Sequence, residues 1–354
     1  MKLTPGQSVA LDLLRGLASL VVLVGHAWAV TKTPAAKYIE IQTLGVVIFF
    51  VLSGFLITYT CLIKTGYNFV EYSIDRFSRI YTSLIPALVL IYLIDWIGGQ
   101  DLTTRQYSAE TFVGNLLMLE NNAGLLWYFG LDLIPRLGTN TPLWSIPIEW
   151  WLYMLFGVLF LPAGGRAGLV LKVIMAPIAI ATFTYSTGHA GIGTAWLIGA
   201  CAAVMFHFAP RANGSIGVGL AIVACAIIVT PFAFTGANAT RILWSSPNMI
   251  MGVALATFAV LVFAQNLKLG LGSRRMIIHL ALISYPLYLI HMPLQRAVYS
   301  YASPGTLAVS TAAIVMPLVA AVGFSFMFEI HHKWVRDWIK STANRHIRPT
   351  ISHR

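Results

Sequence analysis

The sequence predicts an all-α polytopic membrane protein with about ten spans around a polar cavity. Three observations predict it. Of 354 residues, 58% are hydrophobic and only 10% charged, whereas soluble domains average about 25% charged. Mean hydropathy is +0.77, which leaves no room for a large water-soluble domain. The apolar residues also gather in runs close to the roughly 20 residues needed to cross a bilayer core.

The runs lie at 10–30, 41–63, 80–98, 143–162, 168–187, 192–210, 215–235, 247–266, 278–298 and 305–329. Charge tests this count, because Lys and Arg concentrate in cytoplasmic loops. With an even number of spans and both termini inside, Lys64, Arg76, Arg79, Arg166, Lys172, Arg211, Lys268, Arg274, Arg275 and the basic tail share the cytoplasmic side. Arg105, Arg136 and Arg241 are exceptions. TFVGNLLML at 111–119 is too short to span and is either re-entrant or packed on the bundle. The long segment 99–142 then faces outward. A connection of that length is usually functional or disordered, and its apolar-aromatic content argues against disorder. With no internal repeat, the chain reads as one transmembrane domain over 1–340 and a basic cytoplasmic tail over 341–354.

Some function classes fall away here. The net charge of +11 is accounted for by loop and tail residues, so no nucleic-acid partner is expected. Cys61, Cys201 and Cys225 stand apart within apolar runs, which indicates neither a zinc site nor a disulfide framework; no metal is expected. Ala27-Trp28-Ala29 has the form of a leader cleavage site. Asp12 and Arg15 nevertheless interrupt the apolar core before it, so the first run is read as a retained helix.

That first run, LDLLRGLASLVVLVGHAWAV, carries three ionisable side chains. At 100° per residue, Arg15 and His26 share a face about three turns and roughly 16 Å apart. Arg15 can snorkel to the inner interface and pair with Asp12 at i,i+3. His26 is too deep for that, and an intramembrane ionisable group is by default a functional-site hypothesis. LWSIPIEWWLY at 143–153 puts Ser145, Glu149 and Tyr153 on successive turns of one face, with Trp144 beside them. A buried carboxylate such as Glu149 needs a partner. SYPLYLIHMPLQ at 284–295 aligns Ser284, Tyr288, His291 and Gln295, with Pro286 and Pro293 freeing backbone carbonyls. Interhelical hydrogen bonding accounts for Ser284 and Gln295; His291 is open to either role. In GVVIFFVLSGFLIT, Gly45 and Gly54 suit close helix contact, and Ser53 is placed at the pocket wall. Arg76 and Arg79 stand one turn apart at the expected start of the third span, either as a phosphate site at a helix N-terminus or as topological anchors. Trp127 and Tyr128 in the outer segment can stack on a sugar or anchor at the interface.

Five of these motifs, in this order on a ten-span chain, resemble the membrane-bound acyltransferase-3 family: Arg15 and His26 with ten residues between them, GVVIFFVLSGFLIT, Arg76-Phe-Ser-Arg79, LWSIPIEWWLY and SYPLYLIHMPL. The likeness is strongest over 10–160 and returns near 284–294. It implies transfer of an acyl group, commonly acetyl from acetyl-CoA, to a hydroxyl of an extracytoplasmic glycan or glycolipid. It also implies a bacterial inner-membrane location. The chain is similar to the standalone form, without an SGNH hydrolase-like domain. In this resemblance Arg15 and His26 match an essential pair, Arg76 and Arg79 a coenzyme-binding pair, and Glu149 an acidic position in a motif whose middle is here Pro147.

A mechanism follows in outline. Arg76 and Arg79 hold the coenzyme phosphates near the inner face, and the thioester arm reaches His26, which serves as general base or is itself acylated. Glu149 orients or charge-stabilises His26 if the helices bring them together, and Arg15 binds coenzyme or an oxyanion. The rival class is a proton-coupled transporter or flippase for a glycan-linked lipid. A second rival is a membrane scaffold, in which polar replacements of His26 are tolerated.

Overall fold

The computed structural model describes residues 2–31, 40–120, 134–188, 191–208, 214–235, 246–301 and 306–347. Trp127, Tyr128, Asp132, Arg211 and Arg241 lie outside the described residues.

Eight helices are long and apolar enough to cross a membrane, and the shorter apolar stretches Ile192–Phe208 and Ile216–Ile228 bring the number to ten among the described residues. In chain order, α1 is Pro5–Val30, α2 Ile41–Ile63 and α3 Phe69–Ile97. The short α4, Ala109–Leu116, precedes α5 at Ser145–Phe160. Then come α6 at Arg166–Gly188, α7 at Ile192–Phe208, α8 at Gly214–Thr235 and α9 at Pro247–Phe263. The chain continues through α10 at Leu271–Ser300, α11 at Leu307–Met327 and α12 at His332–Ile347. No strand occurs among the described residues. Only helices and closed barrels satisfy every backbone group inside lipid, and this chain takes the first solution.

The termini of the helices are set locally. Thr4 caps α1 in a reciprocal box with Gln7, and Pro5 opens it. Asn68 caps α3 by accepting from the Glu71 amide. That cap corrects the expected third span, which begins at Phe69 rather than near residue 80. Its polar first turns are helical because they pack on α12. Asp75 there binds Lys340 at 2.5 Å and Lys64 at 3.0 Å. Arg76 and Arg79 therefore stand two and three turns inside α3, away from its N-terminal dipole. The phosphate site expected from a helix N-terminus must rest on the guanidiniums alone.

Packing sorts the helices into centre and rim. α5 is the central helix, with Ile148, Leu152 and Met154 fully buried. α6 and α11 lie at the rim, and their Leu169, Val173, Ile174, Val319 and Phe326 point outward, as hydrocarbon-facing residues do. α1 and α10 run alongside in the same direction, with Gly16 against Leu280 and His26 against His291. α2 and α7 meet backbone to backbone: a Cβ at Gly54 would overlap the Trp196 carbonyl, and one at Gly199 the Val51 carbonyl. The close-contact role expected for Gly54 is what the structure shows. Gly54→Ala should lower stability by about 1–3 kcal/mol through overpacking, read as a fall in the apparent Tm of the purified protein.

α4 is packed on the bundle. The Tyr81 hydroxyl donates to the Leu116 carbonyl at 2.9 Å, and the Trp151 indole donates to the Met118 carbonyl at 2.7 Å.

Candidate functional site

α1, α2, α3, α5 and α10 enclose a cavity of about 170 Å³. Pockets that engulf a drug-sized ligand measure roughly 300–1,000 Å³, so this one suits a slender chain and not a whole nucleotide. Arg15, Arg76 and Arg79 line it together with Ser53, Ser145, Glu149 and Tyr288. Residues from five separate stretches of sequence thus meet in one chamber.

The three guanidiniums are held differently. Arg15 lies 3.7 Å from Asp12 across one helical turn, and its Nη2 donates to the Ala281 carbonyl at 3.1 Å. Arg79 is ion-paired with Glu329, which also accepts from the Ser83 hydroxyl at 2.7 Å. Arg76 has neither arrangement. It faces the rings of Tyr72 and Tyr153 at 5.8 and 6.0 Å. The neighbouring Asp75 is occupied by Lys64, Lys340 and the Tyr67 hydroxyl. Among the described residues no carboxylate ion-pairs with Arg76, and its Nε is buried without a hydrogen-bond partner. Arg76 is thus the guanidinium of the three with no ion-pair partner among the described residues.

α5 delivers Ser145, Glu149 and Tyr153 to the cavity as its periodicity predicts. Pro147 does not disturb the stripe, since it sits in the first turn, where amide donors lack intrahelical partners in any case. Ser53 donates to the Tyr153 hydroxyl at 2.9 Å, and Tyr153 in turn donates to Glu149. Glu149 is therefore held by Tyr153 of its own helix and by Ser53 of α2. The structure does not bring it to His26, so the expected orienting role is replaced by a tie to Tyr153 and Ser53. The physical reason is helical spacing: Tyr153, four residues on, reaches the carboxylate first.

His26 has another partner. Its Nδ1 lies 3.0 Å from His291 Nε2, and the ring centroids are 5.0 Å apart. His26 is absent from the cavity lining. It stands one layer beyond, behind Tyr288, whose ring is 6.0 Å from that of His291. The Tyr288 hydroxyl closes this end of the chamber by donating to the Pro142 carbonyl at 3.0 Å, with Ser145 Oγ 2.6 Å away. Trp144 is half-buried in the 3-10 turn before α5 and does not line the cavity. Ser284 corrects the interhelical bond expected of it: its hydroxyl donates to the Ala281 carbonyl of its own helix at 2.7 Å, a carbonyl one turn back that a short serine side chain reaches. Gln295 donates to the Leu23 carbonyl of α1 at 2.9 Å, the interhelical role expected of it.

Sequence reasoning missed Glu329, although an acid closing an apolar span is a usable signal. It also missed Asn140, whose Nδ2 donates to the Leu289 carbonyl at 2.7 Å. That carbonyl is free because Pro293, four residues on, has no amide hydrogen. Outside the spans, Glu120 was overlooked too; burial pushes its carboxyl up to about 8.

An apolar helical bundle with an arginine-lined cavity at its centre defines a multi-pass membrane protein, with its polar groups turned inward. The chain belongs to the acyltransferase-3 family: the family's acyltransferase domain matches residues 8–328. It is also similar to an O-acetyl transferase of Shigella phage Sf6, at 26% identity over 183 residues that take in 49% of this chain and 53% of that protein. The likeness spans about half the length of either. No solved structure matches the chain.

Proposed function

We propose that the protein is an integral-membrane O-acyltransferase that moves acetyl from cytosolic acetyl-CoA to a hydroxyl of an extracytoplasmic glycan or glycolipid in a bacterial inner membrane. Family membership and the phage O-acetyl transferase support O-acyl transfer. The observation that carries the donor is the convergence of Arg15, Arg76 and Arg79 on one narrow cavity. Arg15 and Arg79 each have a carboxylate partner. Arg76 has none among the described residues, a costly arrangement in a bilayer-sized bundle that an anionic thioester with a long, slim arm would relieve.

In this reading Arg76, free of any ion pair among the described residues, receives a phosphate at the inner mouth. The pantetheine arm enters the chamber toward Tyr288 and the histidines behind it. His26 takes the proton of the acceptor hydroxyl as that oxygen attacks the thioester carbonyl. The C–S bond then breaks, and the departing coenzyme thiolate takes that proton from the His26 imidazolium, which returns the base to its neutral form. A carrier would move the acceptor without forming this ester bond.

The test uses purified protein in nanodiscs with labelled acetyl-CoA and cell-envelope glycans. Label should appear in an ester on the glycan fraction; unmodified glycan with intact acetyl-CoA would sink the proposal. In the same preparation Arg76→Ala should weaken acetyl-CoA binding by roughly 10–100-fold, the value of one charge-assisted hydrogen bond. Arg79→Ala should weaken it less, because that charge already serves Glu329. Equal affinities across all three proteins would leave both arginines as anchors.

A further inference from the structure

We infer that His291 is the positioning residue of His26: it fixes the imidazole so that Nδ1 carries the hydrogen and Nε2 presents its lone pair to the acceptor hydroxyl. This rests on the reading of His26 as general base.

The assignment comes from what each atom can do. His291 Nδ1 lies 3.0 Å from the Leu287 carbonyl and 2.9 Å from the Tyr288 carbonyl. Carbonyl oxygens only accept, so this nitrogen bears a hydrogen. His291 is wholly buried, at 0% exposure, and no carboxylate contacts it among the described residues, so the neutral ring is the affordable form. A neutral imidazole with hydrogen on Nδ1 has a bare Nε2. That bare nitrogen faces His26 Nδ1 at 3.0 Å, so His26 Nδ1 must donate. Nε2 of His26 is then the basic atom. Each tautomer follows from the one behind it, starting at two backbone carbonyls.

The surroundings hold the pair in register. One turn beyond His291, Gln295 ties α10 to the Leu23 carbonyl of α1. Two residues before it, Asn140 ties the outer loop to the Leu289 carbonyl. The charged or titratable groups acting on His26 are His291 and Arg296, both on α10. Among the described residues no carboxylate takes the part of the acid that orients the base in a serine-hydrolase triad. A neutral histidine occupies that place, and it accepts a hydrogen bond that strengthens when His26 becomes an imidazolium. The proton stays on His26 until the leaving thiolate or water removes it, and His291 itself does not change protonation.

Three variants and one spectrum test this. His291→Leu removes the acceptor and should lower kcat by roughly 10–100-fold, part of what a general base contributes, with KM for acetyl-CoA within about twofold. His291→Gln places an amide oxygen where Nε2 lies, accepts from His26 Nδ1 and cannot titrate; it should recover most of kcat. In wild-type protein carrying 15N-histidine in nanodiscs, the bare nitrogen of His26 should be Nε2. A bare Nδ1 in that spectrum, which needs no variant, would overturn the inference. So would full kcat in His291→Leu, or His291→Gln as impaired as His291→Leu while equally folded. His26→Ala separates the layers: activity retained there sinks the base reading itself, whereas an inactive His26→Ala beside unaffected His291 variants sinks only the positioning role.

Discussion

His26→Ala should reduce acetyl transfer to the glycan by about 10²–10⁴-fold, the usual worth of a positioned general base, at equal membrane expression and with acetyl-CoA binding unchanged. Binding should persist because the imidazole lies outside the arginine cavity, behind Tyr288. Alanine alone does not separate chemistry from architecture, since it also deletes the bond to His291. His26→Asn does: its side-chain amide can still donate to His291 Nε2, yet it has no basic nitrogen. A residue that only holds α1 to α10 would tolerate asparagine and suffer from alanine. A base loses its function equally in both. Matching losses in kcat for the two variants, with matching thermal stability for His26→Asn and the parent, are the expected pair of results. Near-parental transfer by His26→Asn would reduce the histidine pair to a helix tie.

The sequence carries the spans because hydrocarbon imposes a length and a composition that can be counted, and the ten runs map onto ten apolar helices. It carries less of their ends. α3 was expected from residue 80 because EYSIDRFSR is too polar to look like a span, yet Asn68 caps a helix that starts at Phe69. Those polar turns are stabilised by α12, more than 250 residues away in sequence, a contact that no local pattern announces. The site divides similarly. Ser145, Glu149 and Tyr153 were aligned by helical period, and period is local, so they arrived in the cavity together. Which partner each polar group takes is a tertiary matter. Glu149 went to Tyr153 on its own helix, and His26 to a histidine 265 residues on. Arg76 and Arg79 look equivalent as an RxxR pair, but only one of them has Glu329 opposite. The distinction between a paired and an unpaired guanidinium lies in that distant residue.

The Arg79–Glu329 pair supports the second large effect. Glu329 is 1% exposed and Arg79 26% exposed, so the bridge is screened on one side only, where the guanidinium meets the cavity. Glu329 stands in the turn joining α11 to α12 and also receives the Ser83 hydroxyl. One carboxylate therefore ties that junction to two successive turns of α3. Removing one member of a buried pair strands the other, at a cost of about 3–5 kcal/mol; the partial exposure of Arg79 puts Glu329→Gln near the lower end. The apparent Tm of the purified protein should fall by several degrees, and protease should reach the α11–α12 junction sooner. Acetyl-CoA affinity should hold or rise, because the variant releases a second guanidinium beside Arg76. A fall in affinity with unchanged Tm would reverse the assignment, making Glu329 part of the coenzyme site and leaving the α12 contact to Asp75 and Lys340. In Glu329→Gln, adding acetyl-CoA should raise the Tm by more than it does in the parent, since a phosphate then supplies the negative charge that Arg79 has lost.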